Sequence, residues 1–389
     1  MLTQDAMSLD PTADRPIHWG ILGTGAIAGR FADDFVYVKG GTLAASGSRN
    51  IERARAFADR FRIPYRYGSY QALVEDPRID AVYIATPASE HKAGIELCLH
   101  AGKAVLCEKP LTTNAQEATE VIALARRNGR FLMEAMWTRF LPAVARLREF
   151  LAQNVIGEVR HVMADVASDV DFDPASRVFS AELGGGALLQ KGVYLLSLTS
   201  MILGPPSRIK SLSVYGESGV DEATGILLEY LKGRLATLWC SVRVRGQRRA
   251  VIAGTHGQII IHDPVICPST LTLRLYGSHR RHHAPLGKTE TGFKVQVLRY
   301  AKSSVFIRRL REWFPTLSDR LLYDIRSSTI CAPPIGEGLH YQVTEVNRCL
   351  RARQLESPVM ALNESLSILA SIDHIRSNGQ ISRTDSCEH

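Results

Sequence analysis

Between Ile17 and Glu134, short apolar runs alternate with stretches in which apolar residues recur every three to four positions. The run that opens at Ile17, then Thr42–Ser48, Ala81–Ile84, Ala104–Cys107 and Phe131–Glu134, read as strands. The stretch reaching Phe35, then Ala54–Phe61, Ser89–His100 and the segment that Asn114 caps through Ala125, read as helices. Strand–helix alternation at this spacing predicts a parallel sheet covered on both faces. After Trp137 the pattern changes. Pro142–Gln153 reads as one amphipathic helix. Strands then dominate: Glu158–Val166, Ile209–Tyr215, Gly225–Leu231, Arg234–Val244, Gln247–Ile252 and Gln258–His262. Lys232-Gly233 and Arg245-Gly246 read as hairpin turns, so this second sheet is expected to be mainly antiparallel. Helices are predicted for Gly192–Leu203, Gly338–Arg353 and Asn363–Arg376. The chain therefore divides into an α/β domain over residues 16–138 and a second α/β domain with an open sheet over 139–377.

The first turn carries chemistry. The apolar run ends at Gly23-Thr24-Gly25 and leads into Ala26-Ile27-Ala28. Gly23 permits a sharp turn, Gly25 lets a pyrophosphate approach the backbone, and Ala28 is small enough for close helix–strand packing. Free N–H groups at the helix start would face phosphates, which points to a Rossmann dinucleotide-binding domain. Ligands in such sheets bind beyond the carboxyl ends of the strands, here Gly23, Ser48, Thr86 and Glu108-Lys109. The second strand ends Ser46-Gly47-Ser48-Arg49-Asn50, with no carboxylate before Glu52. An acid there would bond ribose hydroxyls. Ser48 and Arg49 suit a phosphate instead, so NADP(H) is expected over NAD(H).

Composition narrows the class. The chain has 389 residues and a net charge of +8. Residues 271–330 hold twelve Lys and Arg against four Asp and Glu, an excess of eight that equals the whole-chain value. The remainder is balanced, without the basic coat of a nucleic-acid binder. Seven scattered cysteines without C-x-x-C spacing fit a reduced, cytoplasmic protein without structural zinc, and no metal site is assigned. Met1–Arg15 lacks the features of a signal peptide, and no apolar run reads as long enough to span a bilayer. Residues 278–330 form a basic insertion. Arg308, Arg309 and Arg311 are interleaved with Phe306, Leu310 and Trp313. An inserted helix covering the sheet is favoured over a contact with anionic membrane.

Cys107-Glu108-Lys109-Pro110 ends a buried strand, where a charged pair is costly unless satisfied or functional. Together with Gly23-Thr24-Gly25-Ala26-Ile27-Ala28, Thr86-Pro87 with His91, and Gly102-Lys103, it resembles the Gfo/Idh/MocA oxidoreductases. Glu134-Ala135-Met136-Trp137-Thr138-Arg139-Phe140-Leu141-Pro142 and Glu356-Ser357-Pro358 are similar to the branch of dimeric dihydrodiol dehydrogenases and NADP-dependent D-xylose dehydrogenases. The resemblance implies a homo-oligomer and a dehydrogenase acting on a sugar, polyol or cyclic diol. It implies that Thr86, Pro87, His91, Glu108, Lys109, Trp137 and Arg139 line the cofactor. It also implies a second-domain motif of three glycines, Asp, and His or Tyr one turn later. The chain gives Gly184-Gly185-Gly186, then Gln190 where the family has Asp, Lys191 where it has an apolar residue, and Tyr194 at the proton-transfer position. Gln190 bonds substrate hydroxyls but takes up no proton. A Tyr194–Lys109 pair is the expected catalytic unit, with the ammonium lowering the phenol's pKa and Lys109 holding the reacting oxygen. The loss of Asp leaves two further readings open. One is a catalytically weak NADP-binding sensor or assembly protein. The other is non-redox net chemistry on a tightly held cofactor.

Overall fold

The computed structural model describes residues 15–277 and 325–378, so nearly all of the basic insertion lies outside the described residues. The first domain is built on β1 (Ile17–Leu22), β2 (Gly41–Gly47), β3 (Tyr65–Tyr67), β4 (Ala81–Ile84), β5 (Ala104–Glu108) and β6 (Leu132–Ala135). These pair in parallel in the order β3-β2-β1-β4-β5-β6. Helices α1 (Ala26–Asp34), α2 (Ile51–Phe61), α3 (Tyr70–Glu75), α4 (His91–His100) and α5 (Ala115–Arg127) connect them. Asn50 and Asn114 cap α2 and α5, each accepting from first-turn amides. Ala81–Ile84 is wholly buried, as a central parallel strand requires. Phe31 of α1 stacks on Tyr83 with centroids 3.8 Å apart. The strand order reverses beside β1, where the Gly23 amide donates to Gly47 O at 2.9 Å and the Ala85 amide to Leu22 O at 2.8 Å. That is the switch point at which this architecture takes ligands.

The second domain opens with α6 (Pro142–Ala152). Its sheet contains β7 (Val159–Ala167), β8 (Arg208–Tyr215), β9 (Asp221–Tyr230), β10 (Arg234–Ser241), β11 (Ala250–Gly254), β12 (Gly257–Ile261), β13 (Thr270–Tyr276) and β14 (Ile325–Cys331). The order is β14-β13-β12-β11-β7-β10-β9-β8, antiparallel except where β7 meets β10. Lys232-Gly233 is the expected hairpin turn, both residues lying at positive φ. Arg245-Gly246 is not. β10 and β11 pair with opposite edges of β7, so this segment crosses over β7 instead of reversing the chain. Helix α7 (Val193–Leu203) packs on β7 and on the last helix, α9 (Leu362–Asn378). By length and composition Ala181–Leu203 is apolar enough to cross a membrane, which the linear reading overlooked. Two-thirds (67%) of its apolar window is buried, so core packing accounts for that composition.

The remaining α-helix among the described residues, α8 (His340–Arg351), returns to the first domain. Buried Asp34 accepts from the Glu337 and Leu339 amides at 2.8 and 2.7 Å, and Trp19 Nε1 donates to Asn347 at 3.1 Å. Residues 337–347 thus pack on the dinucleotide-binding domain.

Candidate active site

The turn after β1 is shaped by its glycines. Gly23 sits at φ +97°, and a Cβ there would lie 3.0 Å from Ala85 O. Gly25 precedes α1 in an extended conformation, and its missing Cβ opens onto free space. No side chain caps α1. The amides of Ala26 and Ile27 therefore lack helical partners and are available to an anion. Ala28 is buried against the sheet. At the end of β2, Ser48 is buried, and its Oγ accepts from the Asn50 amide at 3.3 Å. The Arg49 side chain is 73% exposed, with only a 3.8 Å contact to Glu90. Beyond β4, Thr86 is buried and its Oγ1 has no hydrogen-bond partner. An open glycine, an uncapped helix start and an orphaned hydroxyl at the strand ends fit the pyrophosphate and polar groups of a dinucleotide.

The end of β5 meets the second domain. Glu108 is buried and accepts from Tyr83 Oη at 2.5 Å and from the Lys109 amide at 3.2 Å. The Lys109–Pro110 peptide is cis. Lys109 Nζ donates to Gln190 O at 3.2 Å and lies 5.0 Å from the Tyr194 ring centroid. Tyr194 Oη accepts from Trp137 Nε1 at 3.2 Å. Indole is only a donor, so the phenolic proton remains free to point elsewhere. The turn Leu188–Gly192 is π-helical, a widened form that recurs at functional sites, and it leads into α7.

The charges here differ from the expected pattern. Burial pushes the Tyr194 phenol well above its usual value, and Glu108 adds to the rise. The neighbouring ammonium does not bring it down. Burial instead lowers Lys109 to about 8, despite the opposing pull of Glu108, and the like charges of Arg177 and Lys191 press in the same direction. Of the two groups, Lys109 is the one whose pKa is brought towards neutral pH.

Two family models match more than half of the chain. "Oxidoreductase family, NAD-binding Rossmann fold" matches residues 17–136, and "GFO/IDH/MocA C-terminal domain" matches 144–260. The chain belongs to the Gfo/Idh/MocA oxidoreductase family. It is an NAD(P)-dependent oxidoreductase acting on CH–OH groups. Trans-1,2-dihydrobenzene-1,2-diol dehydrogenase of Sus scrofa is 33% identical over 364 residues, covering 92% of this chain and 96% of the relative. The enzyme of the same name from Homo sapiens is equally similar, 33% over the same shares. Among solved structures, the aldose-aldose oxidoreductase from Caulobacter crescentus, complexed with glycerol, superposes with a TM-score of 0.75 at 21% identity, covering 94% of this chain and 98% of that one. A 3-ketoreductase from Actinomadura kijaniata, in complex with NADP and TDP-benzene, gives 0.73 at 22% identity over the same shares.

Within this family member, several residues of the expected cofactor wall are held by the protein itself. Arg139 is one. Its guanidinium is buried and spent on Glu364 (2.6 and 2.8 Å) and Ser197 (2.9 Å to Oγ, 2.7 Å to O), locking the 3₁₀ turn Trp137–Phe140 to α7 and α9. His91 is also buried. Its ring nitrogens face Pro110 O at 2.8 Å and Thr86 O at 3.0 Å, so it ties together the loops that carry Lys109 and Thr86. Pro87 starts the 3₁₀ turn Ala88–Glu90. The Gln190 amide donates to Gly184 O at 3.0 Å, leaving its carbonyl as the group that can meet substrate. Three participants were absent from the linear reading. Tyr83 anchors Glu108, and Arg177 acts on Lys109. Asp221 accepts from the Leu188 amide at 2.7 Å and so holds the start of the π turn. Nothing near Arg177 or Asp221 in sequence marks them, because only tertiary packing brings them here.

Proposed function

We propose that this oxidoreductase uses NADP(H) to interconvert a CH–OH group and a carbonyl on a sugar, polyol or cyclic diol. The placement of Lys109 carries the reading. It puts a titrating amine at a strand end of the dinucleotide sheet, against Gln190 and Tyr194 of the second domain. The names of the relatives, which are diol dehydrogenases, support the substrate class.

When bound, the dinucleotide supplies or accepts the hydride. The amides of Ala26 and Ile27 hold its pyrophosphate, and Thr86 Oγ1, Pro87 and Trp137 line its nicotinamide end. Ser48 and the exposed Arg49 take the 2′-phosphate. Tyr194 stays protonated and, oriented by Trp137, donates a hydrogen bond to the reacting oxygen. Neutral Lys109 accepts the hydroxyl proton in oxidation, and its ammonium returns a proton in reduction. Gln190 meets a neighbouring hydroxyl through its carbonyl. The outer face of the second sheet, where Met163, Leu212, Val214, Leu227 and Leu235 stand exposed, supports a homo-oligomer.

The test is NADP⁺ reduction and NADPH oxidation across sugars, ketosugars and diols, with wild type, Lys109→Met and Arg49→Ala. Turnover that Lys109→Met abolishes, with NADPH binding kept in Lys109→Met and weakened in Arg49→Ala, supports the reading. NADPH binding without turnover on any substrate favours a sensor. Equal affinity for NADPH and NADH removes the cofactor preference.

A further inference from the structure

We propose that Glu134 is a positioning residue for Lys109: it grips the peptide that follows Pro110 and so aims the Lys109 side chain at the second domain. The inference rests on the reading of Lys109 given above and adds a residue that holds it in place.

The turn after β5 is held by side chains. The Lys109 amide donates to Glu108 Oε2 at 3.2 Å. The peptide between Pro110 and Leu111 is gripped at both ends. His91 Nδ1 donates to its carbonyl, Pro110 O, at 2.8 Å. Its amide, Leu111 N, donates to Glu134 Oε1 at 3.1 Å. Cys107 Sγ reaches Leu111 O at 3.8 Å. Backbone groups inside a protein need partners, and here a buried carboxyl serves where an uncharged acceptor would cost less.

Glu134 is 1% exposed and lies opposite Cys107, where β6 pairs with β5. Ser365 of α9 is its polar neighbour, but no hydrogen bond joins Glu134 Oε2 to Ser365 Oγ. The Leu111 amide is therefore the group that the carboxyl holds. Its charge is the lesser effect. Of the charges that act on Lys109, namely Glu108, Arg177, Lys191 and Glu134, the last contributes least. Aim matters more. Lys109 Nζ meets Gln190 O at 3.2 Å and stands 5.0 Å from the Tyr194 ring centroid. A slip of about 1 Å in the turn costs up to about 10²-fold in rate.

Two substitutions separate grip from charge. Glu134→Gln keeps an oxygen within reach of the Leu111 amide and loses the charge. Glu134→Asp keeps the charge and, one methylene shorter, falls short of the amide. In protein carrying ¹³C at lysine Cε, the Lys109 signal is assigned by its loss in Lys109→Met, and its pH midpoint is followed by NMR. NADP⁺ reduction is measured with trans-1,2-dihydrobenzene-1,2-diol and D-xylose as probes. In Glu134→Asp, kcat should fall about 10- to 100-fold, and the midpoint should rise from about 8 towards 10.5 as the released amine meets water. In Glu134→Gln most of kcat should be kept, and the midpoint should stay at about 8 or fall. NADPH affinity should hold in both. A loss in Glu134→Gln as large as in Glu134→Asp overturns the proposal, whether it comes through charge or through general destabilisation. So does a wild-type kcat and midpoint in Glu134→Asp. If wild type turns over neither probe, the two midpoints still decide the inference, and the missing turnover counts against the proposed function.

Discussion

Replacing Glu108 with Gln removes the larger of the two charges, Glu108 and Glu134, that hold the Lys109 proton on against burial. Lys109 stands at about 8, lowered from 10.5. At pH 7 that leaves roughly one molecule in ten with a neutral amine, against roughly one in 3000 for an ordinary lysine. The structure therefore makes the base about 300-fold more available, and Glu108 sets how far the shift goes. A full neighbouring charge at an effective dielectric of about 20 is worth roughly one to two pKa units. In Glu108→Gln the amide oxygen still accepts from Tyr83, so the β4–β5 contact is kept. The assay is kcat/KM for NADP⁺ reduction from pH 5.5 to 10. Wild type should lose about tenfold in rate per pH unit below a midpoint near 8, because the neutral amine is the active form in oxidation. In Glu108→Gln the midpoint should move to lower pH by about one unit, and the reductive limb should move with it. A midpoint that stays put, or rises, would show that Lys109 is not the group titrating.

Three further outcomes follow from the geometry. Tyr194→Phe should keep NADPH binding and lower kcat by about 10²–10³, the cost of one lost donor to the reacting oxygen, without moving the midpoint near 8; a moved midpoint would return the proton to the phenol. Gln190→Asp should lose the bond to Gly184 O and place a carboxylate beside Lys109, so activity at pH 7 should fall and the oxidative limb should shift to higher pH; rising activity at pH 7 would contradict this. Asp221 is held at about 6 by burial, above its unfolded value, so its contribution to stability is present below about pH 4 and lost as pH rises through 6, roughly 3 kcal/mol in all. Asp221→Asn should therefore gain on wild type in urea unfolding between pH 4 and 7, and parallel curves at every pH would refute the linkage.

Local chemistry was legible in the sequence wherever it acts locally. The strand–glycine–helix turn, the caps at Asn114 and Lys232-Gly233 each depend on a few adjacent residues, and the structure has them as expected. The features that were misread or not foreseen depend on distant partners. Arg245-Gly246 resembles a hairpin, but β7 inserts between β10 and β11 from about 80 residues earlier in the chain. Arg139 sits in a motif that resembles a cofactor wall, and Glu364, 225 residues on, claims its guanidinium. The Tyr194–Lys109 pair was expected from the family resemblance. Its electrostatics were not, because desolvation belongs to the packed cleft and reverses the effect that an adjacent ammonium has in water. The alternation of Leu271, Leu273 and Leu275 in β13 was available to the linear reading and was passed over beside the basic stretch.

The central claim is hydride transfer between NADP(H) and a substrate carbon, with Lys109 exchanging the proton. It is tested most directly by running the reaction with NADPH deuterated at C4 of the nicotinamide and measuring product mass. One deuterium on the new carbinol carbon, matched by one NADP⁺ formed per turnover and absent with Lys109→Met, is the expected result. Product without deuterium, or substrate converted with no net change in NADPH, would contradict it.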